Sequence, residues 1–186
     1  MKKNNKENKN SKKKNQRKEM KPALIIIDMQ QAFYKGKTAK LMDAATDYIN
    51  HILPLFRRKK LPIIWVQDMD KDDGVVPGTK GFNLIKGLKP AIGEKKITKQ
   101  YGNSFNKTDL EAILRHAGAD VIILAGYCAE YCVLSTYRGA LDRDLTPIML
   151  RGALASNRQK NIDFVLAISD IISCNALRRF LSAPVT

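Results

Sequence analysis

The strongest constraint on this chain is a rhythm of short apolar runs separated by stretches with helical spacing. The runs are ALIIID (23–28), PIIWVQDM (62–69), EKKITK (94–99), DVIILAG (120–126), TPIMLRGA (146–153) and DIISC (170–174). The longest of them do not alternate apolar with polar, so each reads as a strand buried on both faces. Between them, residues 38–60 place Leu41, Ala44, Ala45, Tyr48, Ile49, Ile52 and Leu55 at helical spacing. RRKK near the end suits the helix dipole, and Pro54 is expected to bend or shorten the helix. A helix over 107–117 follows, with Thr108 and Glu111 spaced as a capping box. Val133, Tyr137, Ala140 and Leu141 share a third helical face, residues 162–168 form a fourth, and a last helix closes the chain. Alternating strands and helices without an internal repeat imply an α/β fold. The expected form is a three-layer α-β-α sandwich around a mostly parallel, five- or six-stranded, Rossmann-like sheet.

Composition narrows the class. The 186 residues suit one domain, and a hydrophobic fraction of 44% is that of a globular chain. No apolar run approaches the roughly 18 residues of a membrane span. The net charge of +15 is unevenly spread: residues 1–21 hold ten Lys or Arg and two Glu. That segment has nothing apolar to bury and reads as a disordered tail ahead of a domain at 22–186. It is either a solvated extension or an arm attracted non-specifically to RNA, anionic lipid or an acidic partner; it has no aromatic residue to stack on bases. Three cysteines and no export signal point to reduced thiols in the cytoplasm.

In doubly wound sheets ligands gather at the carboxyl ends of the strands. Asp28 ends the first run, Lys99 ends the third, and Cys132 follows the fourth. Each has an ordinary reading: a turn-capping carboxylate, a solvated lysine, a small buried hydrophobe. Together their chemistry fits. A helix N-terminus and a nearby ammonium are expected to lower a thiol pKa. A carboxylate can take the thiol proton and return it to a leaving group, while turn N–H groups hold an oxyanion. A redox pair of Cys128 and Cys132 is the rival, although its C-x-x-x-C spacing is not that of thioredoxin-like folds.

DMQQAF (28–33), KQYGNSF (99–105), GYCAEYCV (126–133) and PGTKG (77–81) stand in an order and context that resembles the isochorismatase-like cysteine hydrolases. This family includes nicotinamidases, isochorismatases and carbamoyl-amide hydrolases. The resemblance covers residues from about 23 to about 181. It implies Cys132 as nucleophile, Asp28 as general base and acid, and Lys99 as the ammonium beside them. It also implies a cis peptide at Tyr127–Cys128 that aims the N–H groups of Cys128 and Cys132 at the substrate oxygen. Gln30 belongs to the first motif; with Phe33, Trp65 and Tyr101 it is expected to line the substrate pocket, although the three aromatics equally suit the core.

Three departures from the family pattern stand out. Ala129 replaces a common threonine, and Arg151 replaces a common aspartate near the site. The nicotinamidase metal ligands are absent, since the only histidines, His51 and His116, fall in predicted helices elsewhere. No metal or other cofactor is therefore expected. Asp68, Asp70, Asp72 and Asp73 read as an acidic surface loop rather than a hard-cation site. The resemblance implies a metal-independent hydrolase cleaving the C–N bond of a small amide or carbamoyl compound through a thioester. The alternatives are vinyl-ether hydrolysis of isochorismate and a non-catalytic binding protein on the same scaffold. A small-molecule substrate, a homo-oligomeric state and no membrane partner complete the expectations.

Overall fold

The computed structural model describes residues 21–182; the basic segment expected to be disordered lies, apart from Lys21, outside them. Six strands form one sheet: β1 (Pro22–Ile27), β2 (Ile63–Asp68), β3 (Lys95–Lys99), β4 (Val121–Gly126), β5 (Thr146–Leu154) and β6 (Ile171–Ile172). Their order is β3-β2-β1-β4-β5-β6, and every pairing is parallel. Strand order reverses between β1 and β4, which opens a crevice at their carboxyl ends.

The pleat sorts side chains into two cores. Leu24 and Ile26 of β1 face one layer, where they meet Met42, Ile49 and Phe56 of α1 (Gly36–Arg58) and Leu177 of α5 (Cys174–Ser182). Ala23, Ile25 and Ile27 face the other layer. They meet Leu110 and Leu114 of α2 (Leu110–Ala117), Tyr137 and Ala140 of α3 (Leu134–Leu141), and Ile162 and Val165 of α4 (Gln159–Ala167). A strand with β-branched residues on both faces satisfies both layers, which is why β1 can lie at the centre.

Several expectations change in detail. Helix α1 runs through Pro54 and stops at Arg58, four residues later, so proline does not shorten it. The capping box does not form. Thr108 Oγ1 donates to the Ser104 carbonyl at 2.5 Å and accepts from the Leu110 N–H at 3.3 Å. Glu111 is drawn instead to Arg115 and Arg143. Leu141, the last residue of α3, is 43% exposed, whereas Val133, Tyr137 and Ala140 are buried.

One glycine is demanded by the crevice itself. Gly126 ends β4 at φ 120°, and a Cβ there would lie 2.0 Å from the Ile27 carbonyl oxygen. No L side chain fits between the two central strands at this point. Gly126→Ala should therefore cost at least about 3 kcal/mol, read as a lowered denaturation midpoint in urea. A midpoint equal to wild type would disprove the clash.

Candidate active site

Each site residue leaves the sheet at a carboxyl end. Asp28 follows β1 directly, with φ 50°. Few residues adopt that left-handed backbone, and aspartate is among the more tolerant. Lys99 is the last residue of β3, two strands away, and its long side chain reaches back under the crevice. Beyond Gly126 the Tyr127–Cys128 peptide is cis, and a π-helical turn (Ala129–Val133) carrying Cys132 leads into α3. Cys132 thus sits in the first turns of a continuous helical segment.

The three groups expected to act together do converge. Lys99 Nζ lies 2.8 Å from Asp28 Oδ2 and 3.4 Å from Cys132 Sγ. The Lys99 and Asp28 side chains are 0% and 1% exposed, whereas Cys132 is partly open to solvent. Burial pushes the Asp28 carboxyl up to about 6, with Lys99 pulling against it. Burial also works against the Lys99 charge, yet Asp28, Cys132 and Asp68 hold its pKa above the ordinary lysine value.

The thiol behaves differently from expectation. Burial first, and the Asp28 charge second, push Cys132 up to about 12, although Lys99 opposes them. One ammonium shared with carboxylates does not outweigh desolvation. The resting site therefore holds a neutral thiol beside a carboxylate, and the proton must move as the sulfur attacks.

A second carboxylate completes the cluster. Asp68 Oδ1 lies 2.8 Å from Lys99 Nζ. Asp68, expected in the acidic loop, instead ends β2 and so meets the same strand-end criterion as Asp28 and Lys99. Its loop neighbours diverge from it: Asp70 Oδ1 accepts the N–H groups of Asp72 and Asp73 at 2.9 and 3.1 Å, closing a local turn. Among the described residues, no group of three or more His, Cys, Asp or Glu is arranged to hold a metal ion.

The expected pocket walls divide. Gln30 is fully buried and braces the β2 end: its Oε1 accepts the Asp68 N–H at 2.7 Å, and its Nε2 donates to the Asp68 carbonyl at 2.9 Å. Trp65 is 0% exposed in the core, where its Nε1 donates to Glu94 at 2.7 Å, so it lines no pocket. Phe33 stacks on Tyr127, with ring centroids 5.1 Å apart, beside the cis turn. Tyr101 is partly exposed and accepts a hydrogen bond from Lys107.

The turn before Cys132 is held by a network that the sequence did not reveal. Cys128 Sγ donates to Glu130 Oε2 at 3.0 Å, Ser156 Oγ donates to Glu130 Oε1 at 2.9 Å, and Asn161 donates to Glu130 as well. Burial and the Glu130 carboxylate push the Cys128 thiol up to about 12, so its side chain is a structural donor. Ala129 donates its N–H to the Ala155 carbonyl at 2.8 Å, which ties the turn to the end of β5 without a hydroxyl at that position. Arg151 is exposed in a cleft with Asp47, Tyr48, His51, Ser173, Cys174 and Asn175. It falls in the segment where β5 slips in register against β4.

The family model Isochorismatase domain matches residues 22–168. The secreted isochorismatase effector Isc1 of Verticillium dahliae is 30% identical over 145 residues, 75% of each chain. A streptothricin hydrolase of Streptomyces noursei is 30% identical over 124 residues, 64% of this chain and 44% of that one. The solved N-carbamoylsarcosine amidase of Thermoplasma acidophilum superposes with a TM-score of 0.72 at 26% identity, covering 84% of this chain and 98% of its own. With the family model spanning most of the domain and the sheet edge built as described, the chain belongs to the isochorismatase family of hydrolases.

Proposed function

We propose that this protein is a cytoplasmic, metal-independent amidase that cleaves the C–N bond of a small amide or carbamoyl compound through a thioester on Cys132. The observation that carries the reading is the Lys99 ammonium in contact with the Asp28 carboxylate and the Cys132 sulfur at once. Relatives named streptothricin hydrolase and N-carbamoylsarcosine amidase support the choice of bond.

The cycle balances with these residues alone. Cys132 Sγ attacks the carbonyl carbon while Asp28 takes the thiol proton. The N–H groups of Cys128 and Cys132 are the donors assigned to the resulting oxyanion. Asp28 then protonates the leaving nitrogen as the C–N bond breaks, and ammonia or an amine departs. Water, giving a proton to Asp28, attacks the thioester. The acid leaves as the sulfur regains its proton. Lys99 keeps the pair in register and offsets negative charge on sulfur or carboxylate throughout.

On a panel of small amides and ureido compounds assayed by ammonia release, Cys132→Ser should lose at least about a thousandfold in turnover. Undiminished turnover by that variant would eliminate the nucleophile. Because Asp28 acts as base only when ionised, kcat/KM should rise with pH through a limb near 6. Lys99 holds the Asp28 pKa down against burial, so Lys99→Met should move this limb to higher pH; a limb that stays put or moves to lower pH contradicts the assignment. Dialysis against a chelator should leave turnover unchanged, and loss restored by a divalent ion would refute metal independence.

A further inference from the structure

We infer that Asp68 selects substrates by charge, disfavouring an anionic group next to the scissile carbonyl and admitting neutral or cationic compounds. This deepens the amidase reading above and rests on it for the identity of the reacting bond.

Asp68 differs from its neighbours in one respect. Lys99 and Asp28 are sealed at 0% and 1% exposure, while the Asp68 side chain is 24% exposed. It is therefore the charged member of the cluster that solvent, and an entering molecule, meets. Asp68 and Cys132 both lie within 3.4 Å of the same lysine nitrogen, so the exposed carboxylate is close to the reacting sulfur. Lys99 has two carboxylates, each at 2.8 Å, for one positive charge. With the thiol neutral the cluster is net negative, and its ammonium is already occupied. A substrate carboxylate placed there would face Asp68 without a free counter-charge.

The position is fixed rather than incidental. Gln30, itself fully buried, grips both the N–H and the carbonyl of Asp68, which prevents the strand end from swinging the carboxylate away. Lys37, Lys40 and Arg158 line a different cleft with Gly36 and Asn157, one whose walls include neither Asp68 nor Cys132. The whole-chain charge of +15 attracts anions at long range, so it opposes the selectivity that Asp68 imposes at contact. A dicarboxylate, as the vinyl-ether alternative requires, is the least favoured class.

The test uses charged thiol reagents and needs no natural substrate. The full-length protein is treated separately with 2-(trimethylammonium)ethyl methanethiosulfonate and 2-sulfonatoethyl methanethiosulfonate. Modification of Cys132 is followed by peptide mass spectrometry, with Cys132→Ser as background. Both reagents meet the same thiolate, so their rate ratio, divided by the ratio each shows with free 2-mercaptoethanol, cancels the thiol pKa and the reagents' own reactivities and reports local charge. That normalised ratio should favour the cation about tenfold in wild type, and Asp68→Asn should bring it down by at least about threefold. A wild-type ratio at or below one overturns the inference, and so does a ratio that Asp68→Asn leaves unchanged. If Asp68→Asn does not fold, the wild-type ratio alone decides, because the overall positive charge would otherwise favour the anion. A charge ratio that behaves as expected while Cys132→Ser retains turnover would remove the nucleophile and leave the charge filter standing. The reverse pattern would remove only the filter.

Discussion

A buried ammonium between two carboxylates is the interaction on which the rest of this site depends. Lys99 has no exposed side-chain surface, and an ion so placed is tolerated only with its charge matched at close range. Asp28 and Asp68 supply that match from the ends of two other strands. The lysine therefore ties β3 to β1 and β2 at the carboxyl edge, and it holds the Asp28 carboxylate next to sulfur. Beyond Lys99 and the thiol, Asp28 receives no N–H or O–H donor among the described residues. A carboxylate left so short of partners is a ready proton acceptor.

The electrostatics favour movement of a proton over storage of a thiolate. Burial lifts both acidic groups, Asp28 to about 6 and Cys132 to about 12. The carboxylate is thus ionised near neutral pH while the thiol is not, and the transfer runs uphill until a carbonyl accepts the sulfur's electrons. Coupling the proton to bond formation slows, without abolishing, the reaction of the resting sulfur with incidental electrophiles.

The turn that presents the sulfur is braced by a separate set of contacts. The Cys128 thiol, Ser156 and Asn161 gather around the Glu130 carboxylate, and the Ala129 N–H binds the Ala155 carbonyl. These link the segment after β4 to the segment after β5, while the Phe33–Tyr127 stack links it to the segment after β1. The turn that carries the sulfur is thus held from two directions by groups that do not touch the sulfur.

Much of the architecture was legible in the chain itself. Unbroken apolar runs such as ALIIID and DVIILAG specify strands covered on both faces, and the helical spacing between them specifies the layers that cover them. Asp28, Lys99 and Cys132 were found because position at a strand end is a sequence property once the strands are known. Helix ends were less legible: Thr108 met a carbonyl four residues back, and Glu111 met two arginines, one of them on another element.

What only the tertiary structure decided is which charges share a site. Asp68 and Asp70 are two residues apart, yet one reaches a buried lysine and the other closes its own turn. Trp65 and Phe33 look alike as pocket walls, yet one is core and the other lies beside the cis turn. Linear order determines the elements, because burial periodicity is local. Partners 31 to 33 positions apart are brought together by strand order and register, and through-space electrostatics exists only after that folding is complete.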